Sequence, residues 1–309
     1  MSDEYLWDRT GPPDPEIARL ETVLAGYRYS APSKRPRLRA RALLAAAACV
    51  FLVASATLLL HRKPASEWRM SGKPVAVGQT IETSSAGAKL EAEFVGEVKL
   101  DPNSRLQVLA ATAGNQRLAL RRGTMHALIW APPSRFVVDT PSAKTIDLGC
   151  SYTLSVLPDD SGILTVQSGW VALQAGPIES FIPAGAACRT RPRRGPGLPY
   201  FDDAPAVLRD AVTKFDATGD HEGLNIIISN ARRRDALTLW HLVIRTSGAD
   251  RDLVVQKLGD LIPGINSSGL RSGDSRAVDQ AWNLLGLGAT DWWRMWKRDW
   301  PQQYELKLR

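Results

Sequence analysis

Between Ala42 and Leu60 the sequence runs ALLAAAACVFLVASATLLL, nineteen residues without a charge, interrupted only by Ser55 and Thr57. Coiled as a helix the run is roughly 28 Å long, close to the ~30 Å hydrocarbon core of a bilayer. Buried core helices rarely go so far without an ionisable residue, so it reads as a retained transmembrane helix. A cleaved signal peptide would use Ala54-Ser55-Ala56, but 41 residues precede the run and Leu58 to Leu60 continue it. A lipid-modified Cys49 fits less well again, because Ala46 holds a position where a larger aliphatic is usual. Lys34, Arg35, Arg37, Arg39 and Arg41 crowd the near side, against Arg62 and Lys63 on the far side. That asymmetry places the N-terminus in the cytoplasm and everything beyond the run outside it, in a bacterium the periplasm.

The net charge of +7 would otherwise suggest an anionic partner. With the basic residues gathered beside the apolar run, the excess is a topology signal and implies the lipid bilayer, with no direct nucleic-acid contact. The 309 residues, 44% hydrophobic and 23% charged, are ordinary for globular protein and exclude a multi-span membrane protein or wholesale disorder.

Ahead of the run, in the cytoplasmic segment 1–41, Asp14-Pro15-Glu16 is a helix start: Asp14 caps, Pro15 suits the first position, and Glu16 complements the helix N-terminus. Ile17, Leu20 and Leu24 then share a face, with Gly26 as a stop. So short a helix needs a surface to dock on, and Tyr5, Leu6, Trp7, Ile17, Leu20 and Leu24 are the candidate partner-binding residues.

After a juxtamembrane linker, 61–74, residues 75–188 alternate as short strands: Leu90, Ala92 and Phe94 face one way, Gly96 marks a bulge after which Val98 and Leu100 resume that face, and turn signals recur every eight to twelve residues. This predicts an all-β domain. Residues 189–203, containing RTRPRRGPGLP, read as an exposed linker, with an anionic-lipid patch as the functional alternative. Residues 204–309 change to helical period, with Asp235 placed to cap a helix through Trp240, and predict an all-α domain of stacked helix pairs. At its end Trp292, Trp296 and Trp300 fall on one face beside Trp293. They read as a cap on the helical array or as a membrane-interface stripe.

The expected fold class is thus a membrane-anchored multidomain chain: one transmembrane helix, an all-β domain and an all-α domain. Chemistry is hard to place on it. HExxH, GxSxG, Walker A and GxGxxG are missing, the four histidines are scattered, and Asp216 to Glu222 lacks the ligand alternation of a calcium loop. No catalytic, metal or cofactor residue is expected, and the chain reads as a non-enzyme. Cys150 and Cys188 both lie in the external part, where they either form a disulfide or remain two buried thiols.

Four blocks in order then carry a resemblance. Val98 to Leu106 (VKLDPNSRL), LALRRGTMHA at 118–127, FVVDTPSAKTIDLGCSYTL at 136–154 and TVQSGWVAL at 165–173 are similar to a FecR-type domain. The motif positions are Gly123, Phe136, Thr140, Pro141, Leu148, Gly149, Gly169 and Val171, which the resemblance makes fold-determining. Cys150 stands where that family usually has Thr, the segment 1–41 is shorter than usual, and the helical C-terminal part replaces a small receptor-contacting module.

The resemblance implies a single-pass inner-membrane signal transducer that regulates an extracytoplasmic-function sigma factor. Its cytoplasmic partner would be the sigma factor, and its outer partner an envelope protein or outer-membrane transporter. The alternative is a membrane-anchored envelope binding or scaffold module that makes no sigma-factor contact.

Overall fold

The computed structural model describes residues 14–27, 29 and 67–287. They belong to two separate units, one ending at Lys63 and the other starting at Pro64. In the first, helix α1 spans Pro15–Ala25. The Asp14 carboxylate accepts the Glu16 N–H at 2.9 Å, satisfying one of the orphan donors at the helix start.

The second unit is built on sixteen strands: β1 Arg69–Met70, β2 Lys73–Pro74, β3 Thr80–Glu82, β4 Ala88–Ala92, β5 Gly96–Leu100, β6 Arg105–Thr112, β7 Asn115–Ile129, β8 Phe136–Asp139, β9 Lys144–Asp147, β10 Ser151–Val156, β11 Gly162–Ser168, β12 Trp170–Ala175, β13 Ile178–Pro183, β14 Ala186–Arg191, β15 Gly195–Pro196 and β16 Tyr200–Phe201. They form one hydrogen-bonded sheet in two halves, and β7 belongs to both. Its first part pairs with β6 and β8, its second with β5 and β10. In β7 the inward positions change from Leu118 and Leu120 to Met125, Ala127 and Ile129. The parity switches because the β6–β7 register slips between Arg105/Arg122 and Leu106/Leu120, a one-residue bulge at Arg121.

The sheet crosses between its halves at two corners, and each is closed by a glycine pressed on the neighbouring strand. At Gly123, φ is 85° and an added Cβ would lie 2.3 Å from Ser104 Oγ. At Gly169, φ is 73° and the same atom would lie 2.1 Å from the Gly149 carbonyl oxygen. Left-handed backbone and backbone-to-backbone approach both demand glycine here.

Seven α-helices occur among the described residues. In the second unit these are α2 Ala206–Thr218, α3 His221–Asn230, α4 Ala236–Arg245, α5 Gly248–Leu261, α6 Ser267–Ser272 and α7 Ser275–Leu284. Gly219, at φ 69°, closes α2 and turns the chain directly into α3, so Asp216 to Glu222 is a helix–helix turn. Helix α4 has every residue from Ala236 to Val243 buried, because it lies between the sheet and other helices. Thr238 Oγ1 donates to Pro199 O at 2.7 Å and Trp240 Nε1 to Val278 O at 2.9 Å. The Trp282 ring sits 4.7 Å from Trp240, 5.7 Å from Trp170 and 5.9 Å from Phe181 between centroids. One apolar core therefore runs from Trp68, just before β1, to Trp282 in α7.

This corrects the expected fold class. The strands and helices of the second unit share one core and do not divide into an all-β and an all-α domain, because α4 needs the sheet to cover its second face. The sheet is also mixed, since β7 and β8 run parallel. No helix among the described residues is long and apolar enough to cross a membrane. The run 42–60 and the tryptophans Trp292, Trp293, Trp296 and Trp300 lie outside the described residues.

Two local expectations change too. Residues 195–201 are buried rather than an exposed linker: β15 and β16 pair with β14, and a Cβ on Gly197 would fall 2.0 Å from the Asp216 carboxylate. Asp235 stands at the N-cap of α4 as expected, but its side chain makes no capping bond to that helix. Its carboxylate is buried in the preceding 3-10 turn, accepting the Arg232 backbone N–H at 3.0 Å and Arg232 Nε at 2.8 Å.

Candidate functional site

Among the described residues helix α1 has no buried residue. Ile17 is half-buried, while Leu20, Val23 and Leu24 are 60%, 61% and 60% exposed. Spacing of three and four places these side chains over one another, so the helix offers a narrow apolar stripe of the kind that seats in a groove. Val23, which the sequence reading passed over, belongs to this stripe. Tyr5, Leu6 and Trp7 lie outside the described residues.

The motif positions of the second unit are architectural. Phe136 is buried, its ring centroid 5.8 Å from that of Trp68. Thr140 ties the β8–β9 hairpin: its hydroxyl accepts the Ala143 N–H at 3.0 Å and donates to Ala143 O at 2.8 Å, while Pro141 sits exposed at the tip. Leu148 and Val171 are buried. Gly123 and Gly169 are the two corner glycines, and Gly149 is the residue whose carbonyl Gly169 touches.

Beside this second corner lies a buried polar cluster. The Asp147 carboxylate accepts the Gly149 N–H at 2.7 Å and the Cys150 thiol. Burial pushes Asp147 up to about 7, against the help of those two donors. The Cys150 thiol is pushed far up by burial and by the neighbouring Asp147 charge. Tyr152 is raised for the same reasons, and its hydroxyl is buried without a hydrogen-bond partner among the described residues. Lys144, also buried, is drawn down to about 8 by desolvation, which Asp139 opposes.

Cys150 and Cys188 are both free and buried. Cys188 pairs with Leu164 on β11, and Leu164 with Leu154 on β10. Cys150 is four residues before Leu154, so the two backbone positions are offset by about 13 Å along β10 and β14, which are not neighbours, beyond disulfide reach. Burial lifts Cys188 to about 12. Thiols held protonated in this way are poor nucleophiles. Among the described residues no three His, Cys, Asp or Glu side chains come together as a metal site.

No protein-family model matches the chain. No curated protein matches it either. Two solved structures are similar to part of it, both of a protein from Parabacteroides distasonis ATCC 8503 provisionally assigned as an anti-sigma factor. Each is 16% identical with a TM-score of 0.36, and the matches cover 43% and 44% of this chain. The chain spans 63% of the length of those structures. Similarity at this level does not carry function across.

Proposed function

We propose that the chain is a regulator of the FecR type, which holds an extracytoplasmic-function sigma factor through α1 and its upstream aromatic residues. The observation that supports this reading is the capped helix whose Leu20, Val23 and Leu24 stripe no other part of the described chain covers. An eleven-residue helix has little stability of its own, so such a stripe is best explained by a partner groove. The order of the FecR-like blocks adds to it, because their glycines and Thr140 sit at the corners and the hairpin that a domain of this type would need. Location at the bacterial inner membrane, with residues 67–287 on the periplasmic side and an envelope protein or outer-membrane transporter as the outer contact, goes with the reading and rests on the sequence.

The rival reading is an envelope binding or scaffold module, for which α1 is dispensable. Transcript profiling of native cells carrying a chain that lacks residues 1–30 separates the two. The regulator reading expects a coherent set of promoters to change in activity, and an unchanged profile with the truncated chain present at normal level would overturn it.

A further inference from the structure

The arginine-rich segment that the sequence offered as a linker is instead one wall of a cavity of about 560 Å³, within the size range of small-ligand pockets. Arg191, Arg193 and Arg194 approach it from the β14–β15 hairpin, and Arg245 from the end of α4. Two carboxylates, Glu179 and Asp216, also line it, leaving a surplus of positive charge. Asp216 accepts the Leu198 N–H at 3.0 Å, and its pKa is raised to about 6 by burial, so its counter-charge is weakened in mildly acidic solution.

The arginines differ in what already holds them. Arg245 Nη2 donates to Glu179 O at 3.1 Å and to Ser180 Oγ at 2.5 Å, which fixes its guanidinium. Arg191 Nη2 donates to Thr213 O at 3.2 Å, while its Nε is buried without a hydrogen-bond partner among the described residues. Arg193 and Arg194 are exposed and form no salt bridge among the described residues. Arg193 has φ 63°, a left-handed conformation unfavourable for a side-chain-bearing residue, and it sets the hairpin tip. The apolar side is formed by Pro196, Phe215 and the exposed Ile178 and Ile244.

We propose that this cavity binds a small oxyanion ligand, a phosphate or carboxylate attached to a compact apolar group. Arg191, Arg193 and Arg194 take the anion, Arg245 sets the pocket's depth and charge, and Ile178, Phe215 and Ile244 receive the apolar part. Guanidinium forks suit both anions because they can offer two parallel donors. The site does not depend on the sigma-factor reading, since it involves no residue of α1.

The test is calorimetric titration of the full chain with phenyl phosphate, with inorganic phosphate and with phosphatidylglycerol vesicles in separate arms. The variant Arg193→Ala/Arg194→Ala changes only exposed side chains, and Arg121→Ala/Arg122→Ala removes the same charge elsewhere as a control. Phenyl phosphate should bind more tightly than inorganic phosphate, lose at least tenfold in affinity in the first variant, and keep its affinity in the control. Absence of phenyl phosphate binding, equal loss in both variants, or binding of vesicles alone would each overturn the assignment.

Discussion

The Phe181 backbone N–H donates to Nε2 of His241 at 3.1 Å, a bond spanning 60 positions that joins β13 to the middle of α4. Because Nε2 accepts, Nδ1 carries the proton and points at Leu237 O, 2.9 Å away, so the ring is neutral in the fold. Burial and the Arg245 charge draw its pKa down to about 3 from 6.5. This buried imidazole is the polar pin between sheet and helices.

His241→Leu removes the acceptor that the imidazole offers the Phe181 N–H, which costs about 1–3 kcal/mol at pH 7. The wild-type chain keeps the full benefit of a neutral histidine above pH 6.5 and loses it as pH falls toward 3, since the unfolded chain takes the proton first. At pH 5 that loss is about 2 kcal/mol, and the variant lacks it. Urea unfolding should therefore show a clear deficit for the variant at pH 7 that nearly disappears at pH 5. An equal deficit at both values would refute the neutral pin.

Asp147 has the opposite sign. Its folded pKa is raised to about 7 from 3.8, so the folded chain holds the proton that the unfolded chain has released, and stability falls as pH rises from about 4 to 7. Asp147→Asn has no such slope. Between pH 5 and pH 8 the variant should gain about 3 kcal/mol relative to wild type, read from denaturant midpoints at the two values. Parallel pH profiles for the two proteins would show that Asp147 is not buried in this way.

The two glycines of the second corner should differ sharply. At Gly149 a methyl group meets open space, so Gly149→Ala costs only the left-handed backbone, about 1–2 kcal/mol. At Gly169 the methyl overlaps the Gly149 carbonyl, and Gly169→Ala should cost more than about 4 kcal/mol or prevent folding. Comparable losses in thermal unfolding would contradict the corner geometry.

With Cys150 and Cys188 free, a strong reductant should leave the unfolding temperature within about 1 °C of its value without it. A bridge closing a loop of this size would contribute about 4 kcal/mol, and its reduction would lower that temperature by several degrees.

What the sequence shows of this structure is what local physics controls. Asp14-Pro15-Glu16 starts α1 because a cap needs only the next few residues. The alternation of Leu90, Ala92, Val98 and Leu100 survives as the β4–β5 hairpin, but Phe94 is exposed in its turn and Gly96 pairs with Ala92 as the first residue of β5, with no bulge there. Contacts between distant segments are invisible in such patterns. Helix α4 reads as one helix among several, yet every residue from Ala236 to Val243 is buried. Trp282 gives no sign that it joins Trp170, Phe181 and Trp240, although burying an indole there stabilises by about 1.5–3 kcal/mol. The string RTRPRRGPGLP has a linker's composition, but Gly197 is needed against Asp216 and the arginines line a cavity. Even Asp147, three residues from Cys150 in a DLGC string, discloses its partner only once the turn is folded.

The most direct test of the central claim compares the full chain, tagged at its C-terminus in the cells that make it, with its Leu20→Asp/Leu24→Asp variant. Proteins that co-purify with each are quantified by mass spectrometry. The account predicts that a sigma factor is enriched with the wild-type chain and falls at least tenfold with the variant, at equal chain abundance. No sigma factor with either chain, or equal recovery with both, would contradict it.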